Sequence, residues 1–411
     1  MKKNKRKIIL VISILLIITI VVLGLIYFNT NNINMKIQGT QKEYNAELQE
    51  NEHMHLEEDA SGDKIPVPNG YVGSKVAGEN EIDTGYVIYE GEEEVTDENV
   101  EEAQKTRNQY VWVPVPDASK MYGIDENGKK WGKLYEFTTE TGENIDEETG
   151  AKPLNWTESD GVMKVLNANS NKEPSILSNY AIYNFDMDSK VKSLELGIDS
   201  NHGFLIQLEQ EFNTMIESIK KYRGFYVGRY ETGNLQQEVA TVIKGNTNIG
   251  NKNWYNVYNK CKTLKADKTN IETGIIWGCQ WDRILMWLIE SKNKSKEEII
   301  NSTSWGNYNN VEFEYIDSKG DRKIKKLNES IQIPTGSSEY TRANNIYDLG
   351  GNIYESTMEA FSYYFRVYRG GYFDLIYNED SSSYRYGSFA DSTRGYFRLP
   401  SNAIYKIMKI Q

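Results

Sequence analysis

The amino-acid sequence predicts an α+β domain, rich in loops, carried behind one membrane-spanning segment. Three observations lead there: an uncharged apolar run at Ile8–Phe28, two helical periodicities far apart in the chain, and many short β-branched stretches punctuated by glycine and joined by long irregular connections. Two helices among scattered strands fit neither a doubly wound sheet nor a helical bundle.

The apolar run is long enough to cross a bilayer core as a helix. Lys2, Lys3, Lys5, Arg6 and Lys7 precede it, so residues 1–7 are expected as a cytoplasmic basic tail, 8–28 as an uncleaved signal anchor, and the rest outside the cell. A cleaved signal peptide is the competing reading, but no small-residue A-x-A site follows Phe28. Residues 29–63 are polar and lack an apolar period, as expected of a flexible stalk. His53 and His55 stand there before Glu57, Glu58 and Asp59; such a cluster in a linker is more often solvated than metal-bound. The acidic run Glu90–Glu102 likewise reads as a solvated face.

From residue 64 to 411 one exterior domain is expected. Its first strands fall in IPVPNGYVGSKVAG and GYVIYEG, and the next in Gln109–Val115, QYVWVPV. DENGKKWG supplies hairpin chemistry inside a polar insertion over 121–160. Leu205, Leu208, Phe212, Met215, Ile216 and Ile219 recur at helical spacing between Asn201, a candidate cap, and Gly224, a candidate stop. GFYVGRYETG then reads as a strand. A second helix is expected over Gln280–Ser291, with Trp281, Ile284, Leu285 and Leu288 on one face.

Composition narrows function. Among 411 residues, 47 Lys and Arg face 59 Asp and Glu, a net charge of -12 that disfavours nucleic acid as partner. Two Cys, three His and eight Pro exclude a disulfide scaffold, a Cys/His zinc array and a proline-rich linker. The excess is tyrosine, with 29 residues, a palette suited to recognition by rigid amphipathic rings.

The most informative stretch is NIYDLGGNIYE, Asn345–Glu355, followed by RVYRGGYF at Arg366–Phe373 and GYFR at Gly395–Arg398. Asp348 and Glu355 offer hard oxygen ligands, and Gly350 and Gly351 let backbone carbonyls turn inward, which suits calcium; the alternative is a glycine turn between strands with solvated carboxylates. This order of motifs resembles the formylglycine-generating enzyme (sulfatase-modifying factor) family, which has a C-type-lectin-like fold. The resemblance runs from QYVWVPV through GFYVGRYETG and the QWDRILMWL helix to the end, and is strongest from Asn345 onward. It implies a calcium ion held by the side chains of Asp348 and Glu355 and the carbonyls of Gly351 and Ile353. It also implies structural roles for Arg366, Arg369 and Arg398.

The sequence departs from that family where catalysis would sit. The family's oxidases use a cysteine pair shortly after R-G-G to bind copper; here Leu375 falls at the first position and Asp380 or Ser381 near the second. The only cysteines are Cys261 and Cys279, either a disulfide or buried residues, with Cys279 read as structural. His202 has no Ser or Cys partner nearby in sequence. No copper and no catalytic residue are therefore expected. In place of the cysteines stands YFDLIYNEDSSSYRY, where Tyr372, Asp374, Leu375, Tyr377, Asn378, Ser382, Tyr384 and Tyr386 are the candidate ligand-binding residues; the alternative is aromatics packed on the domain's own surface. Some lectin-like relatives are receptors diversified by retroelements at such positions. The expectation is a membrane-anchored surface protein binding an extracellular protein or glycan, with an oxidase of formylglycine type as the alternative.

Overall fold

The computed structural model describes residues 48–124, 128, 130–154, 156–159, 162–165, 201–233, 239–247, 253–263, 270–360, 365–375, 381–389 and 406–410. The chain divides into Met1–Leu48 and Gln49–Gln411. The expected basic tail, the span Ile8–Phe28 and the first part of the stalk lie outside the described residues. Among those described, no helix is long and apolar enough to cross a membrane.

The larger unit is mixed α+β, with small antiparallel sheets and few helices. Its strands begin with β1 (Met54–Glu58), β2 (Lys64–Pro68), β3 (Tyr71–Gly73) and β4 (Val87–Glu90). After the short helix α1 (Val100–Thr106) comes β5 (Gln109–Pro114). The helix α2 (Asn201–Tyr222) leads directly into β6 (Gly224–Gly228). Helix α3 (Trp254–Cys261), strand β7 (Ile271–Ile275), helix α4 (Gly278–Glu290) and helix α5 (Lys296–Ile300) follow. Beyond them lie the hairpin β8 (Phe313–Ile316) and β9 (Arg322–Lys325), then β10 (Glu355–Ala360), β11 (Phe365–Arg369), β12 (Tyr386–Phe389) and β13 (Lys406–Ile410). The main sheet has the order β7–β13–β6–β5–β4–β3, and a second sheet the order β10–β11–β12.

Both faces of β5 are covered, which is why QYVWVP carries apolar or aromatic residues at successive positions. On one face Val111 and Val113 join a core with Phe212, Ile216, Trp277, Trp281 and Leu285. On the other, Trp112 leans on Tyr226 with ring centres 4.9 Å apart. The β1–β2 hairpin covers that aromatic face: Tyr226 Oη donates to the Pro66 carbonyl at 3.1 Å and Tyr86 Oη to Glu57 Oε2 at 3.2 Å.

This corrects the stalk, which does not extend to residue 63. β1 pairs with β2 from Met54↔Pro68 to Glu58↔Lys64, and Met54 is buried. Two of the three acidic side chains that follow His53 and His55, Glu57 and Asp59, are occupied in holding this fold. Glu57 accepts from the Gly73 amide and Lys75, and Asp59 from the amides of Ser61, Asp63 and Ile82. The acidic run behaves as a solvated face, placing Glu101 and Glu102 in the first turn of α1.

Asn201 is the first residue of α2 rather than its cap. The helix ends on Arg223, left-handed at φ 62°, whose N–H donates to the Ile219 carbonyl at 2.7 Å. Gly224 is not the stop. It lies in β6, paired with Pro114, and is glycine because an added Cβ would sit 2.2 Å from the Trp112 ring. Helix α4 begins two residues before its expected start and is buried all round, including Asp282 and Arg283. The polar insertion forms the expected hairpin, Tyr122–Ile124 against Lys130–Gly132, and two further ones.

Candidate functional site

The site is built on the turn between residues 344 and 355. Asn344, Asn345, Asp348, Gly351 and Asn352 all take left-handed backbone conformations, with φ between 44° and 73°, so the chain folds tightly back on itself. Gly351 is required there because a Cβ would lie 2.2 Å from the Asn307 carbonyl oxygen.

Three buried carboxylates converge on this turn. Asp348 Oδ2 accepts from Thr335 Oγ1 at 2.8 Å and the Gly336 amide at 3.0 Å, while its Oδ1 has no hydrogen-bond partner. Glu355 is 0% exposed and neither of its carboxylate oxygens accepts a hydrogen bond. Glu231, from the end of GRYETG, accepts from Asn352 Nδ2 at 2.9 Å through Oε2 and leaves Oε1 without a partner. Burial and repulsion from Glu231 push the Glu355 carboxyl well above the usual range; burial and repulsion from Asp348 do the same to Glu231. Burial also raises Asp348.

Buried anionic oxygens without donors are costly unless a proton or cation answers them. The donor set is all hard oxygen, so the residues present fit a calcium ion. Among the described residues no three His, Cys, Asp or Glu side chains share one metal position. A cation here would draw on the Asp348 and Glu355 side chains together with main-chain carbonyls such as those of Gly351 and Ile353. Glu231 adds charge to the site and escaped the sequence reading, because it lies beyond the end of β6 in the mixed polar run RYET, where nothing local marks it.

Next to the turn runs the segment after Gly370, which is anchored by four charges: Asp282, Glu359 and Arg369, all buried, and Arg385, 11% exposed. Arg369 Nη2 meets Asp282 Oδ1 at 2.9 Å and its Nη1 meets Glu359 Oε2 at 3.5 Å. Arg385 Nη2 meets Asp282 Oδ2 at 2.5 Å, its Nε meets Glu359 Oε1 at 2.6 Å, and its Nη1 donates to the Tyr135 carbonyl at 2.7 Å. Two guanidiniums thus neutralise two carboxylates and tie α4, β10 and β11 to the loop. Arg366 is buried too, with its guanidinium 3.8 Å from the centre of the Trp254 ring. Arg398 lies outside the described residues.

The eight candidate ligand-binding residues divide. Tyr372 is 1% exposed and stacks on Tyr354, so it belongs to the core. Ser382 is 0% exposed; it accepts from Ser302 Oγ at 3.0 Å, donates to the Ile299 carbonyl at 3.3 Å, and its carbonyl receives Trp281 Nε1 at 2.8 Å. Neither can meet a ligand without leaving those partners, which corrects their assignment. Tyr386 is half-buried against Tyr354. Leu375 is half-buried and its carbonyl accepts from the Asn309 amide at 3.1 Å. Asp374 is exposed and accepts from Ser330, and Tyr384 is 42% exposed. Tyr377 and Asn378 lie outside the described residues.

Cys261 and Cys279 are buried and form no disulfide. Cys279 stands at the start of α4, where burial and the nearby Asp282 and Glu359 push its thiol well above the ordinary value. That is the opposite of an activated thiolate. His202 lies in α2, where its side chain is not described. In comparison with known proteins, no family model matches this chain and no curated protein matches it.

Proposed function

We propose that this protein is a membrane-anchored, outward-facing binding protein of C-type-lectin-like fold, akin to the formylglycine-generating enzyme family, that recognises an extracellular protein or glycan without catalysis. Calcium supports the fold at Asp348, Glu355 and the carbonyls of Gly351 and Ile353. One observation carries the recognition reading. Tyr384 stands exposed between Ser382, held by buried hydrogen bonds, and Arg385, held by part-buried bonds to Glu359 and Asp282, so a rigid pedestal presents an amphipathic ring at small entropic cost. Asp374 extends the same segment outward.

The test is a glycan and surface-protein array probed with the full chain in detergent, beside Tyr384→Ala and Tyr377→Ala. Binding that falls roughly tenfold or more in either variant supports recognition through this segment. Turnover of a cysteine-containing sulfatase peptide in the presence of copper, lost on replacing Cys279, would overturn the reading in favour of an oxidase.

A further inference from the structure

The turn that presents Asp348 and Glu355 also holds both ends of the exposed segment. The Gly351 N–H donates to the Gly370 carbonyl at 2.6 Å, and the Phe373 N–H donates to the Asn352 carbonyl at 3.0 Å. Tyr308 Oη adds a second bond to the Gly370 carbonyl at 2.8 Å. Tyr354, between the two expected ligands Ile353 and Glu355, stacks with Tyr372 at 5.8 Å and with Tyr386 at 5.2 Å, rings from opposite ends of the segment. Glu355 itself lies against Gly370, where a Cβ would be 1.8 Å from Oε2 and where φ is +87°.

We infer that cation binding at Asp348 and Glu355 is coupled to the order of the recognition segment, through the 351–354 backbone and the Tyr354 ring. The inference rests on the calcium reading above. Fixing the peptides at 351–353 fixes the N–H and carbonyl that hold Gly370 and Phe373. Glu355 Oε2 lies against Gly370, so fixing that side chain on a cation also fixes the neighbour of the segment's base. Because such coupling is reciprocal, a ligand seated on the segment raises calcium affinity by the factor that calcium raises ligand affinity.

Amide hydrogen exchange on the full chain in detergent tests this, with calcium chloride against a chelator. Calcium is expected to slow exchange roughly tenfold in 348–355 and in both 370–375 and 381–389, with little change in the β8–β9 hairpin. In Tyr354→Leu the turn stays protected by calcium while the segment does not. Protection confined to 348–355 in the unaltered chain overturns the coupling and leaves the calcium site standing. A uniform slowing across the domain also overturns it, since that is global stabilisation alone. No calcium effect anywhere overturns the calcium reading and this inference together.

Discussion

Replacing Arg385 by alanine tests whether residues 381–389, part of the segment proposed for recognition, are held by the charge quartet of Arg369, Arg385, Asp282 and Glu359. The guanidinium supplies contacts to Asp282 at 2.5 Å, to Glu359 at 2.6 Å and to the Tyr135 carbonyl at 2.7 Å. Arg369 cannot replace them, because it already spans Asp282 and reaches Glu359 only at 3.5 Å. Glu359 Oε1 then loses its partner in a site that is 0% exposed. Removing one member of a buried, hydrogen-bonded ion group costs about 3–5 kcal/mol, so Arg385→Ala should lose an amount in that range. Arg385→Lys should fall between, since an ammonium restores charge but not the fork.

The pH dependence has a definite sign. Glu359 already has its carboxyl pushed up by burial, against the pull of Arg385 and Arg369. Losing Arg385 raises it further. A group raised in the folded state contributes stability below its unfolded value and loses it as pH rises through the folded value. The deficit of Arg385→Ala should therefore be smaller near about pH 5 than near about pH 8. The assay is urea unfolding of the full chain in detergent, followed by tryptophan fluorescence at both pH values. A loss under about 1 kcal/mol, the scale of an exposed pair, or one that does not change with pH, refutes the reasoning.

Calcium at a hundredfold excess over its dissociation constant should add about 2.7 kcal/mol to unfolding stability, measured as a thermal shift against chelator, and Glu355→Gln should abolish the difference. An unchanged melting temperature in the parent chain argues against Asp348 and Glu355 as ligands. Tyr384→Ala should leave stability within about 0.5 kcal/mol by chemical denaturation, because the ring is exposed, while array binding drops. Gly224→Ala should cost about 1–3 kcal/mol in the same denaturation assay, as its Cβ would drive into Trp112; an unaltered midpoint would mean that the Trp112 ring moves freely.

Legibility in the sequence followed how local the determining contact is. The long helix and β5 could be read directly, since Leu208, Phe212, Met215 and Ile219 keep their spacing and QYVWV is a run of strand formers. Helix α3 was missed because it has eight residues, too few to show a period, although Asn253 caps it by accepting from the Asn256 amide at 3.0 Å. β1 was mistaken for stalk because MHLEE has no apolar period of its own; its order comes from pairing with β2 and from Tyr86, whose Oη donates to Glu57 at 3.2 Å.

The same distinction divides the site. Asp348 and Glu355 were visible as a motif because they stand seven positions apart in one short run, whereas Glu231 is joined to Asn352 across 121 positions by a contact only folding creates. Tyr372 and Ser382 were misread for a different reason. Tyrosine and serine serve equally in a buried stack and on a binding surface, so composition cannot tell pedestal from contact face. What separates them is burial: Ser382 is 0% exposed and bonded to Ser302 and Ile299, while Tyr384 two residues later is 42% exposed. On the proposed reading that difference separates contact from anchor: Tyr384 is the exposed position, while its neighbour Arg385 is held by Asp282 and Glu359.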